Sequence, residues 1–357
     1  MSMCRTVYKG DPDILPTMDS GTDGLDPSNY TTMVFIHGIG FNGAVFRKLF
    51  PFGPDHNYRI VSLYRRGYAP SSPWTEEEVA LFMSSDLEDG KRFLRLAGLQ
   101  IARFLLEFAA SQGIPKYNKV KKTGGIVLNG LSLGTLYSQA VLSALDSLTT
   151  DELGQLETYL HAILCYDPTT ITFGIPRPPL PGPTPSLQSA TVSEKWALFK
   201  RAATGFYIHA NPYSYDLADL NTGKPDESRP PSLSDLPEQE LEQMLSFEMY
   251  ATHDGATFTM DSEAFRFANR RALFNAEMAR YLPNVKVRII CGMEGFGLFI
   301  FLVNEMERAS KDPSKVFGEG AERAREFKTV RLERGNYFVF WDEPSWALDQ
   351  FIACLDD

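Results

Sequence analysis

A sharp strand-to-helix turn in the middle of the chain constrains the fold more than any other feature. The apolar run Ile-Val-Leu at 126–128 reads as a buried strand, and the pentapeptide Gly-Leu-Ser-Leu-Gly from Gly130 to Gly134 follows it closely. Glycine has no Cβ, so the backbone can turn tightly on both sides of Ser132 and present its hydroxyl at the apex. We therefore predict a strand, a strained serine and a helix over 133–145. The duller alternative is a structural turn with an idle serine.

Composition indicates a large globular protein. The chain has 357 residues, of which 43% are hydrophobic, and this is enough to bury a substantial core. The 35 basic and 45 acidic residues give a formal net charge of -10, which argues against nucleic acid or an anionic membrane as a partner. The sequence shows neither a signal-peptide pattern nor an apolar run that could cross a bilayer. We expect a cytoplasmic protein; its oligomeric state stays open.

The cysteines predict no disulfide framework. Cys4, Cys165, Cys291 and Cys354 are widely separated, and two of them lie in apolar, strand-like runs. This spacing favours buried free thiols, and zinc would need a closer set of ligands. We expect neither a metal nor a cofactor.

Strand and helix patterns alternate along the chain, as a mostly parallel sheet flanked by helices requires. One long amphipathic helix is predicted over 86–112, ended by Gly113, and the last helix is predicted to start at Pro344 with Asp342 as its N-cap. Besides the strand before Gly130, strands are predicted over 32–36, 59–64, 161–166, 285–291 and 328–332.

A long stretch between two predicted strands has a different texture. Residues 169–283 begin with a proline-rich segment and continue with aromatic-bearing helical segments. Insertions of this length between core elements are usually functional. We predict a helical cap over 169–283, inserted between two parts of one core at 1–168 and 284–357.

Three motifs in this order resemble the α/β-hydrolase superfamily, in its serine-hydrolase form with a cap. They are the loop from His37 to Gly40 after the first strand, the turn at Ser132, and the segment Gly-Asn-Tyr-Phe-Val-Phe-Trp-Asp-Glu-Pro that ends at Pro344. The resemblance runs from about residue 31 to the C-terminus and looks closest to a fungal branch. It implies the α/β-hydrolase fold.

The resemblance also implies roles for residues around the turn. Ser132 would be the nucleophile, and the backbone N–H groups of Leu133 and Ile39 would form the oxyanion hole. Backbone donors suit this role because they are already aimed at the developing negative charge. His37 would brace its loop rather than take part in the reaction.

Two acidic residues are candidates for the third position of a catalytic triad. Glu294 follows the strand 285–291, where the superfamily most often places its acid, and Asp167 follows the strand 161–166, a recognised alternative. A turn residue before Pro168 is the structural alternative for Asp167, and a solvated carboxylate is the one for Glu294. Position slightly favours Glu294, and both stay open.

The expected histidine is missing. Aligning Phe338 and Trp341 with the closing segment of the superfamily puts Tyr337 where the superfamily has its catalytic histidine. A phenol, with an ordinary pKa near 10, is a poor general base at neutral pH, although it can donate a hydrogen bond or act as an acid. His253, on the predicted cap, is the one histidine that we weigh as a substitute base, against the commoner role of a surface or packing residue.

These features predict an enzyme that acts on a small, largely apolar carbonyl compound, by ester or carbon–carbon bond hydrolysis through Ser132. Tyr337 in place of the histidine leaves the triad incomplete. Two alternatives therefore remain. One is a lyase, isomerase or cyclase of the same fold, and the other is a ligand-binding protein without turnover. The expected partner is a small-molecule substrate.

Overall fold

A twisted, mostly parallel sheet forms the centre of the molecule. The computed structural model describes residues 4–6, 15–179 and 190–356, and in this part of the chain the sheet has eight strands in the order β1-β2-β4-β3-β5-β6-β7-β8. The strands are Cys4–Thr6 (β1), Thr17–Asp19 (β2), Thr31–Ile36 (β3), Tyr58–Leu63 (β4), Ile126–Leu131 (β5), Leu160–Tyr166 (β6), Lys286–Gly292 (β7) and Phe327–Leu332 (β8). Strands β1 and β2 are antiparallel to their neighbours, and the other six are parallel.

Helices follow most of the strands and cover the sheet. The α-helices are Glu76–Met83 (α1), Leu87–Gln112 (α2), Gly134–Ser143 (α3), Thr150–Tyr159 (α4), Val192–Thr204 (α5), Glu238–Glu242 (α6), Phe247–Ala251 (α7), His253–Ala256 (α8), Ser262–Phe274 (α9), Ala276–Ala279 (α10), Gly297–Lys311 (α11), Pro313–Phe317 (α12), Val339–Asp342 (α13) and Pro344–Asp356 (α14). Short 3-10 helices lie at Gly43–Phe52, Pro54–His56, Leu145–Ser147 and Leu217–Asp219.

The central strands are buried on both faces. Every residue of β3, β5 and β6 is buried, which explains why these strands read as continuous apolar runs rather than alternating ones. The predicted fold class, a mostly parallel sheet flanked by helices, is confirmed. The sequence does not reveal β1 and β2, since three-residue strands are too short to show a period.

The long predicted helix forms with the expected ends. Asp86 is the N-cap of α2, and its carboxylate accepts hydrogen bonds from the N–H groups of Glu88 and Asp89. At the other end Gly113 adopts a left-handed φ of +61°, a conformation that glycine takes without strain.

The prediction for the last helix is wrong in one detail. Helix α14 starts at Pro344 as expected, but Asp342 is the last residue of α13 and does not cap α14. The Asp342 carboxylate instead accepts a hydrogen bond from the Ser232 hydroxyl. A tertiary partner therefore competes successfully with the local capping role.

The segment between β6 and β7 contains helices α5 to α10; we call it the insert. Helix α9 packs against α2 and α3 in the layer that covers the sheet, whereas α5 and α7 lie near the loop after β3, where Trp196 and Tyr250 approach Gly40. The division into a core and a cap at 169–283 stays a prediction. Part of the proline-rich segment, residues 180–189, lies outside the described residues.

Cys165, Cys291 and Cys354 are free and buried, while the side chain of Cys4 lies outside the described part. Within the described ranges, no helix combines the length and apolar character that a bilayer span requires.

The N-cap of α2 can be tested by mutation. An Asp86→Ala substitution removes the acceptor for two N–H groups of the first turn, so the free energy of unfolding should fall by about 1 kcal/mol. Urea unfolding followed by circular dichroism measures the change. Asp86→Asn retains a capping oxygen and is the matched control, so an equal loss in both variants would contradict the capping role.

Candidate active site

Two glycines make the turn at Ser132 possible. A Cβ at position 130 would lie 2.6 Å from the Gly134 carbonyl oxygen, and one at position 134 would clash with the carbonyl oxygen of Ile36. Helix α3 can therefore approach β3 and β5 only because both positions lack a side chain. This close approach places Ser132 between the ends of two adjacent parallel strands.

Ser132 has the strained backbone of a nucleophile elbow. Its φ is +52°, a left-handed value that costs free energy for a residue with a side chain. Hydrogen bonds hold this conformation, because the Ser132 N–H donates to the Tyr166 carbonyl at 2.9 Å and the Thr135 N–H donates to the Ser132 carbonyl at 2.9 Å. The Thr135 hydroxyl donates to the same carbonyl at 2.6 Å.

The loop after β3 runs beside the elbow. A Cβ on Gly38 would lie 3.3 Å from the Ser132 Cβ and would clash with the Tyr337 hydroxyl. Among the described residues, neither the Ile39 N–H nor the Leu133 N–H donates a hydrogen bond to the protein. These two backbone donors are therefore available to a ligand, and their role as an oxyanion hole stays a prediction.

His37 braces this loop. Its Nε2 accepts from the Arg65 N–H at 3.0 Å, and its Nδ1 lies 3.0 Å from the Gly38 carbonyl oxygen, to which it donates. Complete burial, with Arg65 adding to the effect, holds the pKa of His37 well below its ordinary value. A neutral ring with both nitrogens engaged is unable to accept a proton from Ser132.

Tyr337 lies beside the elbow. Its ring is buried among Phe41, Phe299 and Phe338, and its hydroxyl makes no hydrogen bond of ordinary geometry to another described residue. Burial raises the pKa of the phenol well above its ordinary value, and the neighbouring Ser132 hydroxyl offsets part of this rise. Tyr337 is therefore a neutral phenol with a proton available to donate.

Asp167 is completely buried and directly follows β6, the strand next to β5 in the sheet. One carboxylate oxygen accepts from the Gly292 N–H at 3.0 Å, and the other has no partner among the described residues. Burial raises the pKa of Asp167 to about 8, against the opposing effect of the Gly292 hydrogen bond. A negative charge on Asp167 would in turn raise the pKa of Tyr337, so the two groups interact electrostatically. At neutral pH the carboxyl is mainly protonated.

Glu294 is placed differently. Its side chain is 32% exposed, and its carboxylate pairs with Arg229 at 2.6 Å and accepts from the Gly335 N–H at 3.0 Å. Both oxygens are occupied, and they tie the loop before Tyr337 to the insert. This geometry favours Asp167 over Glu294 as the acidic residue facing the site, although both roles stay predictions.

The described histidines make no hydrogen bond to Ser132 or Tyr337. His253, the candidate substitute base, is half-buried and hydrogen-bonds the Thr252 hydroxyl through Nδ1. Its neighbour Asp254 is the residue that reaches the site, because its carboxylate accepts from the Gly40 N–H at 3.0 Å. The five histidines are His37, His56, His161, His209 and His253.

Sequence reasoning misses two buried polar anchors around the site. Asp254 pairs with Arg65, and Asn336 donates to the Thr204 carbonyl at 3.0 Å and to the Ser232 hydroxyl at 2.9 Å. The partners are far apart in sequence, so no local pattern marks them; the position of Arg65 at the end of a strand is the one available signal. In the described part of the chain, no group of three or more His, Cys, Asp and Glu side chains could hold a metal ion.

The elbow on a central parallel strand, the two unused amides and the loop after β3 together decide the architecture. The chain has the α/β-hydrolase fold. No protein-family model matches the chain, and no curated protein matches it by sequence.

Several solved structures are similar to the whole chain. A laboratory-evolved variant of potato epoxide hydrolase is 14% identical, with 99% of each chain covered and a TM-score of 0.48. A carboxylesterase structure from Nitrososphaera gargenis is 15% identical, with 98% of each chain covered and a TM-score of 0.47. A lipase-esterase related protein from Clostridium acetobutylicum is 13% identical, covering 95% of this chain and 98% of its own, at a TM-score of 0.47. The placement in a fungal branch stays a prediction.

The protonation of Asp167 gives a pH prediction. A carboxyl with an ordinary pKa near 3.9 in the unfolded chain and about 8 in the folded protein binds more protons when folded, so stability should fall as pH rises between these values. The loss reaches at most about 1.4 kcal/mol per pH unit.

Asp167→Asn removes this titration while keeping the shape and one acceptor oxygen. Urea unfolding at pH 5, 6, 7 and 8 should therefore show that the free energy of unfolding of the variant increases relative to that of the parent as pH rises. Parallel stability curves for the two proteins would mean that Asp167 ionises normally.

Proposed function

We propose that this chain is an enzyme that acts on a small, largely apolar carbonyl compound by acyl transfer through Ser132. The observation that carries the proposal is the strained Ser132 with the unused N–H groups of Ile39 and Leu133 beside it. Strain at an elbow presents the hydroxyl, and pre-aimed amides stabilise the oxyanion that forms when it attacks a carbonyl.

The surroundings support an apolar substrate. Phe41, Phe299 and Phe338 enclose Tyr337, and the Trp196 ring covers Gly40 from the insert. Walls of this kind favour apolar ligands, with a few polar groups fixing their orientation. Esters and carbon–carbon bonds next to a carbonyl are the classes that fit this combination.

In the proposed reaction the Ser132 oxygen attacks the carbonyl carbon, and the N–H groups of Ile39 and Leu133 hold the resulting oxyanion. Collapse breaks the bond to the leaving group and forms an acyl-serine. The leaving group takes up a proton from Tyr337, and the Tyr337 oxygen receives the proton that Ser132 gives up. Water then cleaves the acyl-serine to release the acid. A phenol and a protonated Asp167 are proton donors at neutral pH, so both attack and deacylation lack a strong base and should be slow.

A second candidate uses the same donors without hydrolysis. The Tyr337 hydroxyl next to Ser132 and the unpaired Asp167 oxygen favour a lyase, isomerase or cyclase in which an acid protonates the substrate. Running the reaction in water enriched in ¹⁸O distinguishes the two classes, because hydrolysis incorporates the label into the product acid and a lyase or isomerase does not. A ligand that binds without any product would leave the third candidate, a binding protein.

Ser132→Ala should abolish hydrolysis of a short activated ester, because no acyl-enzyme can form. The side chain loses one oxygen, so the circular dichroism spectrum and thermal unfolding should stay close to those of the parent. Labelling of the parent with a serine-directed phosphonate, followed by peptide mass spectrometry, locates the reactive residue. Full ester turnover in the folded variant would exclude the serine mechanism.

Tyr337→His should increase ester hydrolysis by about tenfold or more. An imidazole with a pKa near 6.5 can accept the Ser132 proton at neutral pH, whereas a phenol cannot, and general base catalysis contributes about 10²- to 10⁴-fold. Tyr337→Phe is the matched control, since it removes the hydroxyl without adding a base. Equal rates in the two folded variants, with no gain in phosphonate labelling, would mean that the site serves a different chemistry.

A further inference from the structure

A buried cluster of Arg65, Tyr68, Tyr137 and Asp254 lies behind the loop after β3; we call it the Arg65 cluster. Arg65 donates to the His37 carbonyl through Nε at 3.1 Å and to the Gly38 carbonyl through Nη2 at 2.9 Å. The Arg65 side chain is 1% exposed, so these bonds form away from competing water.

The bond to Gly38 fixes the direction of an oxyanion donor. In a planar trans peptide, the carbonyl of one residue and the N–H of the next point in opposite directions. With the Gly38 carbonyl held by Arg65, the Ile39 N–H must point away from the cluster. Gly38 itself lies against Ser132. The guanidinium, together with the His37 ring that donates to the same carbonyl, therefore sets the orientation of the Ile39 N–H beside the elbow.

Asp254, which belongs to the insert, completes this arrangement. Its two oxygens accept from Arg65 Nη1 at 3.0 Å and Nη2 at 2.8 Å, a bidentate pairing. The oxygen facing Nη2 also accepts from the Gly40 N–H at 3.0 Å and from the Tyr68 hydroxyl. One carboxylate therefore holds both the guanidinium and the far end of the loop, inside a low-dielectric interior where such bonds are strong.

We propose that Asp254 is a positioning residue that fixes the loop from His37 to Gly40, and with it the Ile39 N–H, in the orientation needed for oxyanion stabilisation. Asp254 thus influences the reaction through the loop and makes no contact with the substrate itself. The inference rests on the proposed function for its catalytic consequence, whereas the fixing of the loop can be measured without any turnover.

Two variants test the proposal. Asp254→Asn preserves the shape but removes the charge and the bidentate pairing with Arg65. Tyr68→Phe leaves the ion pair intact and removes a hydroxyl that donates to Asp254 and accepts from the Gly40 N–H at 2.9 Å. It tests the cluster's hold on the loop if Asp254→Asn fails to fold. Asp19→Asn is the matched control, because Asp19 forms a comparable buried pair with Arg59 at 3.0 Å, on a different part of the sheet.

Hydrogen–deuterium exchange of peptides covering residues 36–42 is the first readout. Exchange of this loop should speed up in Asp254→Asn and, to a smaller degree, in Tyr68→Phe, while peptides from α2 stay as protected as in the parent. Asp19→Asn should leave the loop's exchange unchanged. Unchanged loop exchange in the folded variants would overturn the proposal, whatever the activity.

Ester kinetics is the second readout. A misaligned oxyanion donor should lower kcat by about tenfold or more with little change in KM, because the lost bond exists mainly in the transition state. Asp19→Asn should retain the parent's kcat. Faster loop exchange with an unchanged kcat would overturn the catalytic role of Asp254.

The parent and its Ser132→Ala variant separate this proposal from the proposed function. If the parent shows no Ser132-dependent hydrolysis, the proposed function fails, and faster exchange in Asp254→Asn still supports the fixing of the loop. If the parent is active, loop exchange tests whether Asp254 fixes the loop, and kcat tests whether that fixing matters for the reaction.

Discussion

The close packing of helix α3 against the sheet is the constraint on which the rest of the structure depends. Gly134 contacts the Ile36 carbonyl, and Gly130 contacts the backbone of Gly134. Any side chain at these two positions would push the helix away and separate the ends of β3 and β5. The ends of β3 and β5 pair with each other at Ile36 and Gly130. With the helix packed closely against these ends, the loop after β3 lies against Ser132.

Burial then decides the chemistry that this geometry can support. Removal from water raises the pKa values of Asp167 and Tyr337 and lowers that of His37, so each of the three groups is held in its neutral form. Arg65 and Asp254, equally buried, form an ion pair, which is the arrangement in which buried charged groups are tolerated. Among the described residues, the groups beside Ser132 are therefore proton donors and not strong bases, whereas the Arg65–Asp254 pair lies behind the loop and holds it.

Much of the fold can be predicted from sequence because its determinants are local. Glycine spacing marks the elbow, apolar runs mark the doubly covered strands, and a capping aspartate with a terminal glycine marks α2. The site is less predictable, because burial depends on residues far away. Glu294 and Asp167 both follow buried strands. Glu294 nevertheless pairs with Arg229 near the surface, and no local sequence pattern near either residue predicts this pairing. The pairing of Arg65 with Asp254 spans 189 positions.

The insert holds the two loops on either side of Ser132, and this bears on the proposal that Tyr337 lies where the superfamily has its catalytic histidine. Asp254 fixes Gly40, while Thr204 and Ser232 fix Asn336 directly before Tyr337. These buried hydrogen bonds anchor both loops to the insert. An imidazole is also smaller than a phenol, so the space around Tyr337 would accept one without displacing Gly38. On the proposal that Tyr337 takes the place of a histidine, the difference from a histidine-bearing site is chemical rather than steric, because the group offered to the substrate is a neutral hydroxyl.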